Sequence, residues 1–133
     1  MSAADQITFH LVSPEKKLAS IEAISVNIPA MEGDMTILPN HADFLTTLRP
    51  GVIKIETSSG TQEFVVTGGF VEISGSVATV LAEKAVLKSE ADKKLFEPFI
   101  SDAEEEVANA LDDGKARADL RLNDLNIISS TFN

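Results

Sequence analysis

The chain has no cysteine, no tryptophan, no tyrosine and only two histidines. Without cysteine there is no disulfide frame, no thiolate nucleophile and no cysteine-based zinc site. Seven phenylalanines are the only other aromatic residues, so a core must be built mainly from aliphatic side chains. Basic residues are also few: 11 Lys and Arg stand against 21 Asp and Glu, a formal charge of −10. That balance argues against a nucleic-acid partner, because phosphate binding needs clustered Lys and Arg. No apolar run approaches the roughly 20 residues of a bilayer-spanning helix. Residues 1–6 contain no basic region leading into an apolar run, so no signal peptide is expected. A role at a membrane would need another chain to hold this one there. What remains is 133 residues, 44% of them hydrophobic, enough for one core with an appendage.

The first two thirds read as short strands. Residues 7–12 alternate with period two, placing Ile7, Phe9 and Leu11 on one face and Thr8 and His10 on the other. A turn at 13–16 leads to a short extended piece at 18–21. A second alternating run follows at 23–28, and residues 29–33 read as a turn. Further runs lie at 52–56, at 62–66 after the hairpin turn Ser58-Ser59-Gly60, at 70–73 after Gly68-Gly69, and at 77–82 after Ser74-Gly75-Ser76. Strands separated by turns about every 8 to 12 residues indicate a β-sandwich or barrel. We place it at 5–87.

From about 88 the alternation stops and acid accumulates. Residues 89–113 hold nine acids against two bases, Lys93 and Lys94. Leu95, Phe96, Phe99, Ile100, Ala103, Val107, Ala110 and Leu111 recur three or four apart, as one helical face. Pro98 is expected to split that face into two helices, with Ser101 to Glu104 as a capping box for the second and Asp112-Asp113-Gly114 as its end. A last helix of about three turns is expected from 115 to about 129, with Ala118, Leu122, Leu125 and Ile128 on one side. The predicted architecture is an N-terminal β-sandwich followed by a short C-terminal helical arm, 89–129.

Chemistry-bearing patterns are sparse. His10 lies on a strand and His41 beside a corner, with only Asp43 near it. Metal sites are defined by clusters, so the favoured reading is a corner histidine, His41, bonded to backbone or facing a partner. No Gly-x-Ser-x-Gly elbow and no Gly-x-x-x-x-Gly-Lys-Ser/Thr loop is present. No catalytic residue, cofactor or metal ligand is assigned.

The densest signal lies at 33–51. Gly33, Asp34, Met35, Thr36, Ile37 and Leu38 run into Pro39, which removes a backbone donor and ends the strand. Asn40 tolerates the left-handed backbone that a sharp corner needs. His41, Ala42, Asp43 and a second strand follow, closed by Arg49-Pro50-Gly51. This stretch resembles the Gly-acid-x-x-Ile-x-Pro-x-His-Ala signature, with its Leu and its Lys/Arg-Pro-Gly close, of the epsilon subunits of F-type ATP synthases. Gly68-Gly69-Phe70-Val71-Glu72-Ile73 and the Leu81-Ala82-Glu83 close resemble the second block of that family. The likeness runs from about 7 to 83. Thr36 and Asn40 stand where the family usually has glycine, and Asp43 where it usually has proline. Asn40 suits positive φ, whereas Thr36 is expected to be extended.

The resemblance implies a non-catalytic central-stalk subunit of a proton-translocating ATP synthase. Its β domain would dock on the gamma subunit and on the membrane ring of c subunits, at the cytoplasmic face of an energy-transducing inner membrane. The acid matching Asp34 faces the ring in that family, which makes Asp34, Met35, Asn40 and His41 the candidate interface. The arm could also reach the alpha/beta catalytic head. Residues 111–116 are similar to the Ile/Leu-Asp-x-x-Arg-Ala motif with which some bacterial relatives bind ATP, making Asp112 and Lys115 the nucleotide candidates. Lys115 lacks the planar fork of arginine and Gly114 disfavours helix, so weak or absent binding is expected. Two other readings stay open. One is a free-standing β-sandwich binding module, and the other a small metal-dependent enzyme using His10, His41 and a carboxylate.

Overall fold

A computed structural model describes residues 6–132. Residue 5, where the sequence reading begins the β domain, lies outside the described residues. Ten strands are followed by two helices. The strands are β1 (Ile7–Val12), β2 (Lys17–Ala23), β3 (Ser25–Ala30), β4 (Gly33–Ile37), β5 (Phe44–Leu48), β6 (Gly51–Thr57), β7 (Gly60–Val66), β8 (Gly69–Ser74), β9 (Val77–Ala82) and β10 (Ala85–Leu87). The helices are α1 (Lys93–Asn109) and α2 (Asp112–Ser130). The chain divides into two compact units, one up to Lys88 and one from Ser89 onward.

In the first unit the strand order is β10-β7-β6-β3-β5-β8-β9-β1-β2, with β4 on β3. Val26 pairs with both Ile37 of β4 and Ile55 of β6, so these strands occupy opposite edges of β3. At its far end β3 makes a single pair with β5, Ala30 to Leu48. That one pair joins two layers, β10-β7-β6-β3-β4 and β5-β8-β9-β1-β2, which makes the unit a β-sandwich. The alternation read in the sequence sets which side chains are sealed between the layers. Ile7, Phe9, Leu11, Val26, Ile28, Ile53, Ile55, Val71 and Val80 form one cluster that is almost wholly inaccessible to solvent.

Close approach of β8 and β9 depends on Gly69. It has φ +150, and a Cβ there would lie 2.1 Å from the Leu81 carbonyl oxygen. Gly69 is thus a backbone requirement of the β8–β9 pairing. Two elements depart from expectation in this unit. Pro29 lies within β3 instead of a turn, since its own carbonyl accepts a bond from the Arg49 amide (2.9 Å) and its missing donor costs the ladder little at that end. The three-residue β10, on the edge of β7, was not anticipated.

The second unit is a helical hairpin. Phe96, near the start of α1, stacks on Phe132, just beyond α2, with ring centroids 5.6 Å apart. Ala103, Ala118, Leu125 and Ile128 are also buried. Four details of the expected arm are corrected. Pro98 does not split α1, because it lies on the exposed face, where the Lys94 carbonyl deprived of its intrahelical donor remains in water. The helix is started by Asp92, whose Oδ1 accepts from the Leu95 amide (3.1 Å), which leaves Ser101 and Glu104 in mid-helix. Gly114 sits in the first turn of α2, a helix of 19 residues, and does not end one. Asp112 and Asp113 occupy that first turn, where acids favour a helix N-terminus. The break between helices falls at Ala110 and Leu111, whose backbones are extended (ψ 141 and ψ 154).

Candidate functional site

The signature stretch forms β4, a corner at 38–43, and β5. Alternation along β4 turns Asp34 and Thr36 outward and buries Ile37, while Met35 is half-buried against the core. Thr36 is extended, as its β-branched side chain favours, and its hydroxyl accepts from Asn27 Nδ2 (3.1 Å) on β3. Pro39 ends the strand. Asn40 follows at φ 63, the one described non-glycine residue with positive φ.

Side chains then fix the corner. His41 Nδ1 lies 2.7 Å from the Ala42 carbonyl, so that nitrogen carries the proton and donates. The imidazole meets the Phe44 ring edge to face, with centroids 6.3 Å apart and planes at 61°. Asp43 Oδ1 accepts from the Gly75 amide (3.1 Å), and Asn40 Oδ1 accepts from the Ser76 hydroxyl (3.4 Å). The corner is thereby tied to the turn between β8 and β9.

The four candidate interface residues do not form one cluster. Asp34 faces Pro29 across the β3–β4 ladder, at the Gly33 end of β4. Asn40 and His41 lie beyond its other end. Asp34 and Ile37 are three residue steps apart, about 10 Å of strand at ~3.3 Å per residue. Met35 points inward and contributes little exposed surface between the two groups.

A second surface was not singled out in the sequence. On the outer face of β5-β8-β9, Leu45, Phe70 and Leu81 are 68%, 55% and 54% exposed. Phe70 lies directly opposite Leu81 on one side and Thr47 on the other. Across the parallel β1–β9 ladder, Leu81 is paired with Val12. The signal was available: in 77–82, Ala78, Val80 and Ala82 take the inward positions, which leaves apolar Val77 and Leu81 where an exposed strand normally carries polar groups. Lateral to this row the face becomes polar. Thr8 Oγ1 donates to the Glu22 carboxylate (2.9 and 3.0 Å), and His10 Nδ1 is 3.1 Å from Ser20 Oγ.

His10 and His41 are thus on separate features, each with a local partner. Among the described residues, no three His, Cys, Asp or Glu side chains converge as a metal site would require. Asp112 and Lys115 are both exposed in the first turn of α2.

A ten-stranded β-sandwich followed by a helical hairpin, with a histidine corner between β4 and β5, defines a class of protein. Residues 6–88 match the family model for the ATP synthase, Delta/Epsilon chain, beta-sandwich domain. The chain is 45% identical to the ATP synthase epsilon chain of Cereibacter sphaeroides over 122 residues, 92% of each chain. It is 40% identical to that of Rhodobacter capsulatus over 131 residues, 98% of each. The chain belongs to the ATP synthase epsilon chain family. Its fold is also that of a chain in the Euglena gracilis mitochondrial ATP synthase, at TM-score 0.69 and 20% identity over 96% of this chain and 81% of that one. A chain of the Tetrahymena thermophila mitochondrial ATP synthase central stalk and c-ring gives TM-score 0.60 at 21% identity, over 92% and 96%.

Proposed function

We propose that this chain is a non-catalytic central-stalk subunit of a proton-translocating ATP synthase. It couples proton flow to ATP synthesis by joining the gamma subunit to the membrane ring of c subunits. The observation that carries this reading is its likeness to ATP synthase epsilon chains over more than nine tenths of its length. The two surfaces of the β unit suit two partners. The exposed apolar side chains of Phe70, Leu81 and Leu45 on the outer face of β5-β8-β9 suit a stable contact with gamma, since burying such side chains contributes about 25 cal/mol per Å² of apolar surface. The polar features at the two ends of β4, Asp34 at one and Asn40 with His41 at the other, suit the hydrated loops of the ring.

No helix of the described residues is long and apolar enough to cross a membrane. On this reading the chain is held at the cytoplasmic face of an energy-transducing inner membrane by its partners. The arm is at most weakly inhibitory. Its acid-rich α1 would be repelled by acidic segments of the catalytic head, and the extended backbone at Ala110 and Leu111 interrupts any single long helix beside gamma. No nucleotide site is assigned to Asp112 and Lys115.

The test uses membranes whose ATP synthase lacks this chain. Adding the purified full chain is expected to restore proton pumping driven by ATP. ATP hydrolysis that stays uncoupled after the chain has bound would refute the proposal. A free-standing binding module would not bind such membranes at all.

A further inference from the structure

We infer that Asn40 and Asp43 are positioning residues, whose side chains lock the signature corner to the β8–β9 turn so that corner and turn meet a partner as one surface. The inference rests on the central-stalk reading and deepens it. These residues occupy two of the three positions in the signature stretch at which the chain differs from the usual residues of the family it resembles. Where a proline at 43 would stiffen the backbone directly, aspartate leaves it freer. The structure supplies a different restraint.

Asp43 Oδ1 accepts the Gly75 amide at 3.1 Å, across 32 residues of sequence. A carboxylate accepting a backbone amide is a charge-assisted bond, stronger than a neutral one. Asn40 adds a weaker tie, from the Ser76 hydroxyl at 3.4 Å. The turn itself is anchored, because the Ser76 carbonyl accepts the Thr8 amide at 2.8 Å, next to buried Ile7 and Phe9 of β1. Gly75 has φ 60, a left-handed backbone that glycine adopts freely, and a Cβ added there would meet no atom within 4 Å. The restraint therefore runs from the core strand β1 through the turn to the corner. Between the two tethering residues lies His41, already oriented by the Ala42 carbonyl and the Phe44 ring. Freeing Asp43 would release the backbone on the C-terminal side of that histidine. The surface offered to the ring then includes Gly75 and Ser76, which the signature stretch does not contain.

The experiment compares the full chain with Asp43→Ala and Asp43→Asn, the latter keeping an oxygen acceptor at the same place. In ¹⁵N–¹H spectra of the isolated full chain, Asp43→Ala is expected to move the Gly75 amide proton upfield. Its hydrogen exchange should quicken by about fivefold, the scale of one lost hydrogen bond. Asp43→Asn should recover most of both changes. A Gly75 signal indifferent to Asp43→Ala would overturn the tether, whatever the chain's function.

In reconstituted membranes, Asp43→Ala is expected to lower the protons pumped per ATP hydrolysed while the chain remains bound, and Asp43→Asn to restore the ratio. A broken tether with an unchanged ratio would overturn the positioning role. Failure of the wild-type chain itself to restore pumping would instead remove the central-stalk reading, with the Gly75 signal still deciding the tether.

Discussion

In the unit up to Lys88, Phe9, Leu11, Ile28, Ile53 and Ile55 are sealed in one cluster fed by strands far apart in sequence. The unit from Ser89 onward buries five apolar residues among those described: Phe96, Ala103, Ala118, Leu125 and Ile128. Its surface is loaded with acid, and one helix carries a proline in its interior. Non-local contacts make the β unit cooperative, since removing one strand exposes residues of several others. The hairpin depends on a small buried seam and on helix propensity, so local opening there costs less. The contrast fits a rigid docking body attached to an element with lower stability of its own.

The largest effect that would test this contrast is a core truncation. Phe9→Ala is expected to lower the stability of the β unit by about 3–5 kcal/mol. The check is the denaturation midpoint, read from amides of β1 and β8. A loss below about 1 kcal/mol would mean that the core is not the cooperative unit described. Next in size, Pro98→Ala is expected to stabilise the hairpin by up to about 3 kcal/mol, by returning an interior hydrogen bond to α1. Slower amide exchange in α1, with β-unit amides unchanged, is the expected signature. Exchange that slows equally throughout would erase the distinction between the units.

Most of the β unit was legible in the sequence because period-two alternation reports burial directly. Phe9 and Ile55 are in the core for the same reason that Thr8 and Lys54 are not. Gly69 was legible as a turn signal, but the reason for it, the Leu81 carbonyl 2.1 Å from an added Cβ, needed the register of β8 and β9. The helical arm was read less well, since local rules were applied to residues that context overrides. Pro98 is tolerated because its face is solvated, and Gly114 because it falls in a first turn, where the missing side chain costs little. At the candidate site, Asn40 at positive φ could be foreseen from residue type. Its tie to Ser76, and that of Asp43 to Gly75, could not, because the partners lie more than 30 residues away and only the strand order brings them together. The Phe70–Leu81 row is not legible from alternation alone, because the outward positions Phe70, Val77 and Leu81 of β8 and β9 are apolar as well as the inward ones.

Two smaller effects sharpen the comparison in functional terms. Deleting residues 89–133 is expected to leave the β unit assembled and to raise ATP hydrolysis by less than about twofold, under ~0.4 kcal/mol in barrier. A steady-state hydrolysis assay on reconstituted enzyme decides this, and a tenfold rise would show that the arm inhibits. The smallest effect is expected from a single charge. Asp34→Lys should reduce the ATP-driven proton gradient modestly more than Glu15→Lys, which makes the same charge reversal at an exposed site in the turn between β1 and β2. Equal effects would remove Asp34 from the surface proposed to face the ring.

The central claim is that this chain belongs to the rotor of an ATP synthase, held there by its β unit. It is tested most directly by tagging the chain, purifying it from native membranes in mild detergent, and identifying what remains bound. The account predicts stoichiometric recovery of the gamma subunit together with the catalytic subunits and the c ring. It also predicts loss of gamma when Phe70 and Leu81 are both replaced by aspartate in a chain that still folds. Recovery of the tagged chain free of gamma, from membranes whose ATP synthase is intact, would contradict it.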